Sequence, residues 1–77
     1  EEVEAAVREA MQRVEGVAGC HHVEVNYSGG HYVLVLHCEV DGATSVEEAH
    51  RIATELERHI HHRLPQVQHV IVHTEPA

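Results

Sequence analysis

The chain has no tryptophan or phenylalanine, and its only aromatic residues besides histidine are Tyr27 and Tyr32. Its core must therefore be built from Val, Leu, Ile and Ala. A chain of 77 residues makes one domain, residues 1–77, and at that size folding buries only about 60% of the unfolded surface. Such a core is thin, and a bound metal or a second subunit would help to hold it. No apolar run reaches the ~18 residues of a membrane-spanning helix, so no direct membrane insertion is expected. No signal peptide is visible. Basic residues are scarce as well: five Lys/Arg against thirteen Asp/Glu give a formal net charge of -8 with histidine neutral. Nucleic acid and anionic lipid call for a Lys/Arg patch, so neither is expected as a partner, whereas a negative field concentrates cations. Two cysteines are too few for the bridged scaffold of small secreted proteins. Cys20 and Cys38 read as reduced cytosolic thiols, with metal ligation by one of them as the alternative. An initiator methionine is missing too, as expected of a piece of a longer polypeptide.

What the chain has in quantity is histidine, ten residues in all. Four of them fall where the ends of separate elements meet. His21 opens one alternating apolar run and His37 closes the next. His50 lies one turn into a helix, and His73 ends the last strand just before Glu75. Imidazole and carboxylate gathered from distant segments at one end of a sheet suit a borderline divalent metal such as zinc.

The pattern of apolar residues gives the element order. Val3, Ala6, Val7, Ala10, Met11 and Val14 recur at three- and four-residue spacing and make a helical stripe, which Gly16 and Gly19 break. Val23, Val25 and Tyr27 alternate with Glu24 and Asn26, a strand with one wet face. Ser28-Gly29-Gly30 supplies a turn. Tyr32 to Leu36 is apolar throughout, the pattern of a central strand covered on both faces, and Asp41-Gly42 ends it. Ser45 with Glu48 is a capping-box signature. The helix it opens carries Val46, Ala49, Ala53, Leu56 and Ile60 on one stripe and stops before Pro65. Val67 to Thr74 is the last strand. The order α-β-β-α-β predicts an α+β fold with a three-stranded mixed sheet and no linker or repeat.

That topology gathers the histidines. The first two strands form a hairpin, and the following β-α-β unit runs parallel and right-handed, so His21, His37 and His73 reach the same end of the sheet. A three-residue turn would pair His21 with His37 and Cys20 with Cys38. Burial favours a register slipped by one, which exchanges the two faces: the wet side His22, Glu24 and Asn26 then matches His31, Val33, Val35 and His37. The core side becomes Val23, Val25 and Tyr27 against Tyr32, Leu34, Leu36 and Cys38. The outer face would then carry Val33, Val35 and Ile71 beside His37, His69 and His73, an apolar patch suited to a dimer. His22, His31, His59, His61, His62 and His69 read as exposed polar residues. The cluster His59, His61 and His62 at a helix carboxyl end is read as a dipole-stabilised cation or an accessory metal site.

The segments Gly19-Cys20-His21, Leu34-Val35-Leu36-His37, Ser45-Val46-Glu47-Glu48-Ala49-His50 and Val70-Ile71-Val72-His73-Thr74-Glu75-Pro76 resemble the cytoplasmic C-terminal domain of the cation diffusion facilitator family. The likeness covers nearly the whole chain. It implies a two-layer, metallochaperone-like (ferredoxin-like) fold and a V-shaped homodimer whose closure on metal regulates the membrane part of a metal/proton antiporter. It also implies His21, His37, His50, His73 and Glu75 as ligands, although the family pattern usually has Asp where Glu75 stands. The family exports zinc, iron, cadmium, cobalt, nickel or manganese, and zinc is the expected metal here.

The expected function is thus a dimeric, cytoplasmic, metal-binding regulatory domain, with the transmembrane domain of a parent transporter as its second partner. A free-standing metallochaperone or metal buffer of the same fold is the alternative. An enzyme is not expected: a zinc hydrolase needs an open coordination position and a nearby base. Glu47 or Glu48 could serve as that base, but no H-E-x-x-H or comparable motif accompanies them.

Overall fold

The structure is a computed structural model and describes residues 2–77. Helix α1 (Glu2–Arg13) leads into β1 (Val17–Ser28) and β2 (His31–Val40), followed by α2 (Val46–Arg63) and β3 (Val67–Pro76). The three strands form one sheet in the order β1-β2-β3, with β1 antiparallel and β3 parallel to the central β2. Both helices lie on one face of the sheet. Ala6, Val7 and Ala10 of α1, Val14 just after it, and Ile52, Leu56 and Ile60 of α2 close over Leu34, Leu36, Cys38 and Val40 of β2. Leu34, Leu36, Ile52, Leu56, Ile60 and Leu64 are fully buried, and each such side chain contributes roughly 1.5–3 kcal/mol relative to exposure.

The termini of the elements follow local chemistry. Gly16 stops α1 at φ 100°, and a Cβ there would come within 2.7 Å of Ile52 Cδ1, so both the backbone and the packing require glycine. Gly19, expected to lengthen this break, lies inside β1 instead. Ser45 caps α2, its hydroxyl accepting from the Glu48 amide at 3.0 Å. The reciprocal half of the capping box is not made, because the Glu48 carboxylate accepts from Arg51 at 2.7 and 3.0 Å. On α2 the core is anchored by Ile52, which had not been assigned to the stripe, while Val46 is 88% exposed. A helix stripe continues from Ile60 and Leu56 through Ile52 at four-residue steps; Val46 is off that line.

The hairpin contains both expected registers. Next to the turn, Glu24↔Val35, Val25↔Leu34, Asn26↔Val33, Tyr27↔Tyr32 and Ser28↔His31 follow the slipped register. Gly29 and Gly30 make the two-residue turn with φ 59° and 83°, the pair of positive values that a type I′ turn demands. At the other end Cys20↔Cys38 and His21↔His37 follow the unslipped register. A β-bulge between His21 and Glu24 absorbs the difference, and His22 within it has φ 56°. It is the one non-glycine residue with positive φ among the described residues, a conformation that costs a residue with a Cβ about 1–2 kcal/mol.

Two expectations about burial are corrected. The central strand is covered on one face only: Val33 and Val35 on the outer face remain half-exposed in the single chain. Val23, Val25, Tyr27 and Tyr32 were expected in the core, but all four are exposed. None of the four belongs to the cluster of buried core residues.

Candidate metal centre

The strand registers define the outer face row by row. His21, His37 and His73 form one row across all three strands, and Glu39 with Glu75 forms the next row toward the carboxyl end of β2. Beyond the histidines, Val35 and Ile71 are paired, and then Val33 and His69. The expected apolar patch therefore does lie beside the histidines, with Ile71 43% exposed.

Three donors converge most closely. The ligand atoms of His21, His37 and Glu75 all lie within 4.8 Å of one another. The Glu75 carboxylate reaches across β2: Oε2 contacts His21 Nε2, and Oε1 lies 3.5 Å from His37 Nδ1. Glu39 Oε2 stands 3.6 Å from His21 Nε2. The hydrogen bond to His21 chiefly holds the Glu75 carboxyl below its ordinary value, opposed by desolvation and aided by the charge interaction with His21 and by His37. A carboxylate kept ionised beside imidazole nitrogens is a ready donor for a cation.

The donor set fits a borderline divalent ion. Nitrogen and oxygen ligands sit about 2.0–2.2 Å from zinc, so atoms already within 4.8 Å of each other need only side-chain rotations to close around it.

His73 extends the cluster, with its ring 5.2 Å from that of His37. His50 is placed differently. It is exposed on α2, in the layer on the opposite side of the sheet, and is not part of the converging group. Sequence reasoning missed two neighbours. His22 was read as a plain surface residue, yet the bulge sets its ring edge-on to His37 at 4.8 Å, with Nε2 3.2 Å from Glu24 Oε1. Glu39 was not singled out either, although it lies two residues from His37 on the same strand face, a spacing visible in the sequence.

The remaining histidines are surface features. His59, His61 and His62 line an open groove of about 500 Å³ with Arg13 and Arg58, whose positive charges disfavour an accessory cation there. On the inner face of the sheet, below the histidine row, Cys20 and Cys38 are free thiols in direct register.

The architecture is a ferredoxin-like two-layer domain whose open sheet face carries an imidazole–carboxylate cluster. The chain belongs to the family described as the cytoplasmic domain of cation efflux proteins, whose profile matches residues 1–77. It is 35% identical over 71 residues to metal tolerance protein C1 of Arabidopsis thaliana, covering 92% of this chain but only 15% of that relative. Among solved structures, the metal-bound C-terminal domain of the CzcD transporter from Thermotoga maritima superposes with a TM-score of 0.84 at 26% identity, covering 96% of this chain and 86% of that one. A variant of the MamM C-terminal domain in a cadmium form gives a TM-score of 0.85 at 27% identity, covering 100% and 96%; zinc and manganese forms of such MamM variants match as well.

The cluster's electrostatics predict a measurable titration. Because the Glu75 pKa is depressed in the folded state, this group stabilises the fold above the ordinary carboxylate value, and the contribution is lost as pH falls through the lowered value. In metal-free protein, His21→Ala should raise the Glu75 pKa toward its ordinary value, with His37 maintaining part of the shift. Carboxyl-carbon NMR titration reads this directly; an unmoved Glu75 would show that His21 is not its principal partner.

Proposed function

We propose that this chain is the metal-sensing, dimer-forming cytoplasmic domain of a cation efflux transporter, binding zinc through its outer-face cluster and passing the closure of the dimer to the membrane part. The observation that carries this reading is the convergence of His21, His37 and Glu75 within 4.8 Å. His73 completes the histidine row. Imidazole and carboxylate suit zinc and also admit Cd²⁺, Ni²⁺, Co²⁺, Fe²⁺ or Mn²⁺, so availability takes part in the choice. The solved relatives support a divalent metal, since the CzcD domain is described as metal-bound and the MamM variants occur in cadmium, zinc and manganese forms.

Within one chain the sheet separates His50 from the cluster, so His50 joins the ligand set as a donor from a second protomer. That arrangement makes the metal a bridge. An ion bound more tightly by the closed dimer than by the open one shifts the population toward closure by its difference in affinity. The open face, with Val33, Val35 and Ile71 exposed or half-exposed, supports a homodimer. The small fraction of the plant relative that this chain spans supports the reading as one domain of a transporter over a free-standing buffer. Membership of the cation efflux family supports a role in binding and regulation over catalysis.

Calorimetric zinc titration tests the site. His37→Ala and His73→Ala should each weaken binding sharply, and His31→Ala at the hairpin turn should leave it unchanged. Imidazole binds metal only when neutral, and histidine ordinarily titrates near about 6.5, so affinity should fall steeply below about pH 6. Unchanged affinity in the His37/His73 double variant would contradict the assignment.

The dimer is tested separately. At a hundredfold excess of zinc over its dissociation constant the native state gains about 2.7 kcal/mol, a clear rise in melting temperature for so thin a core. Zinc should also reduce the radius of gyration in solution scattering. Val35→Glu should give monomers with a smaller response; a Val35→Glu protein that stays dimeric and still contracts with zinc would place the interface elsewhere.

A further inference from the structure

Cys20 and Cys38 are Cα partners across the antiparallel β1/β2 ladder. Opposed residues in such a ladder have Cα atoms about 4.5 or 5.5 Å apart, depending on the type of pair. Both separations fall inside the roughly 4.4–6.8 Å range that a disulfide spans. Cys38 alternates with Leu34 and Leu36, so its thiol faces the core and is fully buried. The bulge at His22 brings Cys20 to that same inner face, where it packs against the core while remaining partly exposed.

We infer that Cys20 and Cys38 form a reversible intrachain disulfide, with a low-molecular-weight disulfide of the glutathione type as oxidant. The asymmetry of exposure sets the order of events. The thiolate of the accessible Cys20 attacks the oxidant, forming a mixed disulfide and releasing one small thiolate. Cys38, in register behind it, then gives up its proton and attacks the Cys20 sulfur, closing the Cys20–Cys38 bond and releasing the second small thiolate. Two protein thiols are oxidised and one small disulfide is reduced to two thiols. Thiol–disulfide exchange of this kind runs through a mixed disulfide and reverses when the small-thiol pool is reducing. In a cytoplasmic domain such a bond is expected to be transient rather than structural.

The position gives the modification a consequence. Gly19↔Glu39, Cys20↔Cys38 and His21↔His37 make a short stretch of ladder isolated between two register shifts. A bond between the two sulfurs would tie β1 to β2 immediately beside His21 and His37 and fix their opposition. The inference does not rest on the metal reading, and its test uses metal-free protein.

The purified chain, stripped with chelator, is equilibrated anaerobically in glutathione buffers of increasing oxidised fraction, quenched with acid and alkylated, and its mass read. The expected result is concerted loss of both free thiols in monomer-length chains, without retained glutathione, and a higher melting temperature in the oxidised form. Cys38→Ala, its folding checked by circular dichroism, should instead accumulate glutathione on Cys20. Cys20→Ser should leave the buried Cys38 unmodified while the protein is folded. Wild-type thiols that stay reduced in excess oxidised glutathione would overturn the inference. So would a stable glutathione adduct on wild-type Cys20 or disulfides between chains. The wild-type result stands whether or not either variant folds.

Discussion

The β-bulge at His22 is the constraint on which the functional face depends. A strand alternates its side chains between faces, so an unbroken β1 would put Cys20 and Val25 on opposite sides of the sheet. The structure needs both on the inner side, opposite Cys38 and Leu34. One extra residue resets the alternation, as bulges do. Cys20 packs against the core before the bulge, Val25 keeps the inner side opposite Leu34 after it, and His21 remains on the outer face opposite His37. The cost is a histidine held at φ 56°, a strain of the kind that persists where surrounding structure fixes it, often at functional sites. That residue brings a further imidazole beside His37.

The sheet is also one-sided. Both helices occupy the inner face, where Leu34, Leu36, Ile52, Leu56 and Ile60 make the core. The outer face keeps the histidine row, the two glutamates and the half-exposed valines within reach of another molecule. A core without Phe or Trp has little stability in reserve, so an ion or a second protomer bound to the open face acts on a fold that it can measurably stabilise. The acidic balance of the chain, -8 with histidine neutral, favours a cation over any anionic partner.

Much of this was legible in the sequence because its signals were local. Ser45, Pro65 and Gly16 punctuate the helices through their own backbone chemistry, and the β-α-β handedness rule brought His37 and His73 to one end of the sheet. The family resemblance named the same residues. What was not legible depended on non-local fit. No residue between His21 and Glu24 announces a bulge, since the usual marker of a positive φ is glycine or asparagine and here it is His22. The two registers therefore looked like alternatives when the strand uses one at each end. The stripe drawn through Val46, Ala49, Ala53, Leu56 and Ile60 leaves out Ile52, because only the packing of α2 against Gly16 and the core decides which side faces inward. The fully apolar run of β2 looked doubly covered because sequence alone does not distinguish a face covered by a helix from one left open.

In the proposed assignment, nitrogen and oxygen donors on the outer face bind the metal, while the two thiols on the inner face stand apart from it. X-ray absorption on the zinc-loaded, reduced domain examines this most directly. The predicted spectrum has a first shell of nitrogen and oxygen alone at about 2.0–2.2 Å, with the outer-shell scattering of several imidazoles. A sulfur contribution at about 2.3 Å would place Cys20 or Cys38 on the metal and contradict the assignment of the two faces.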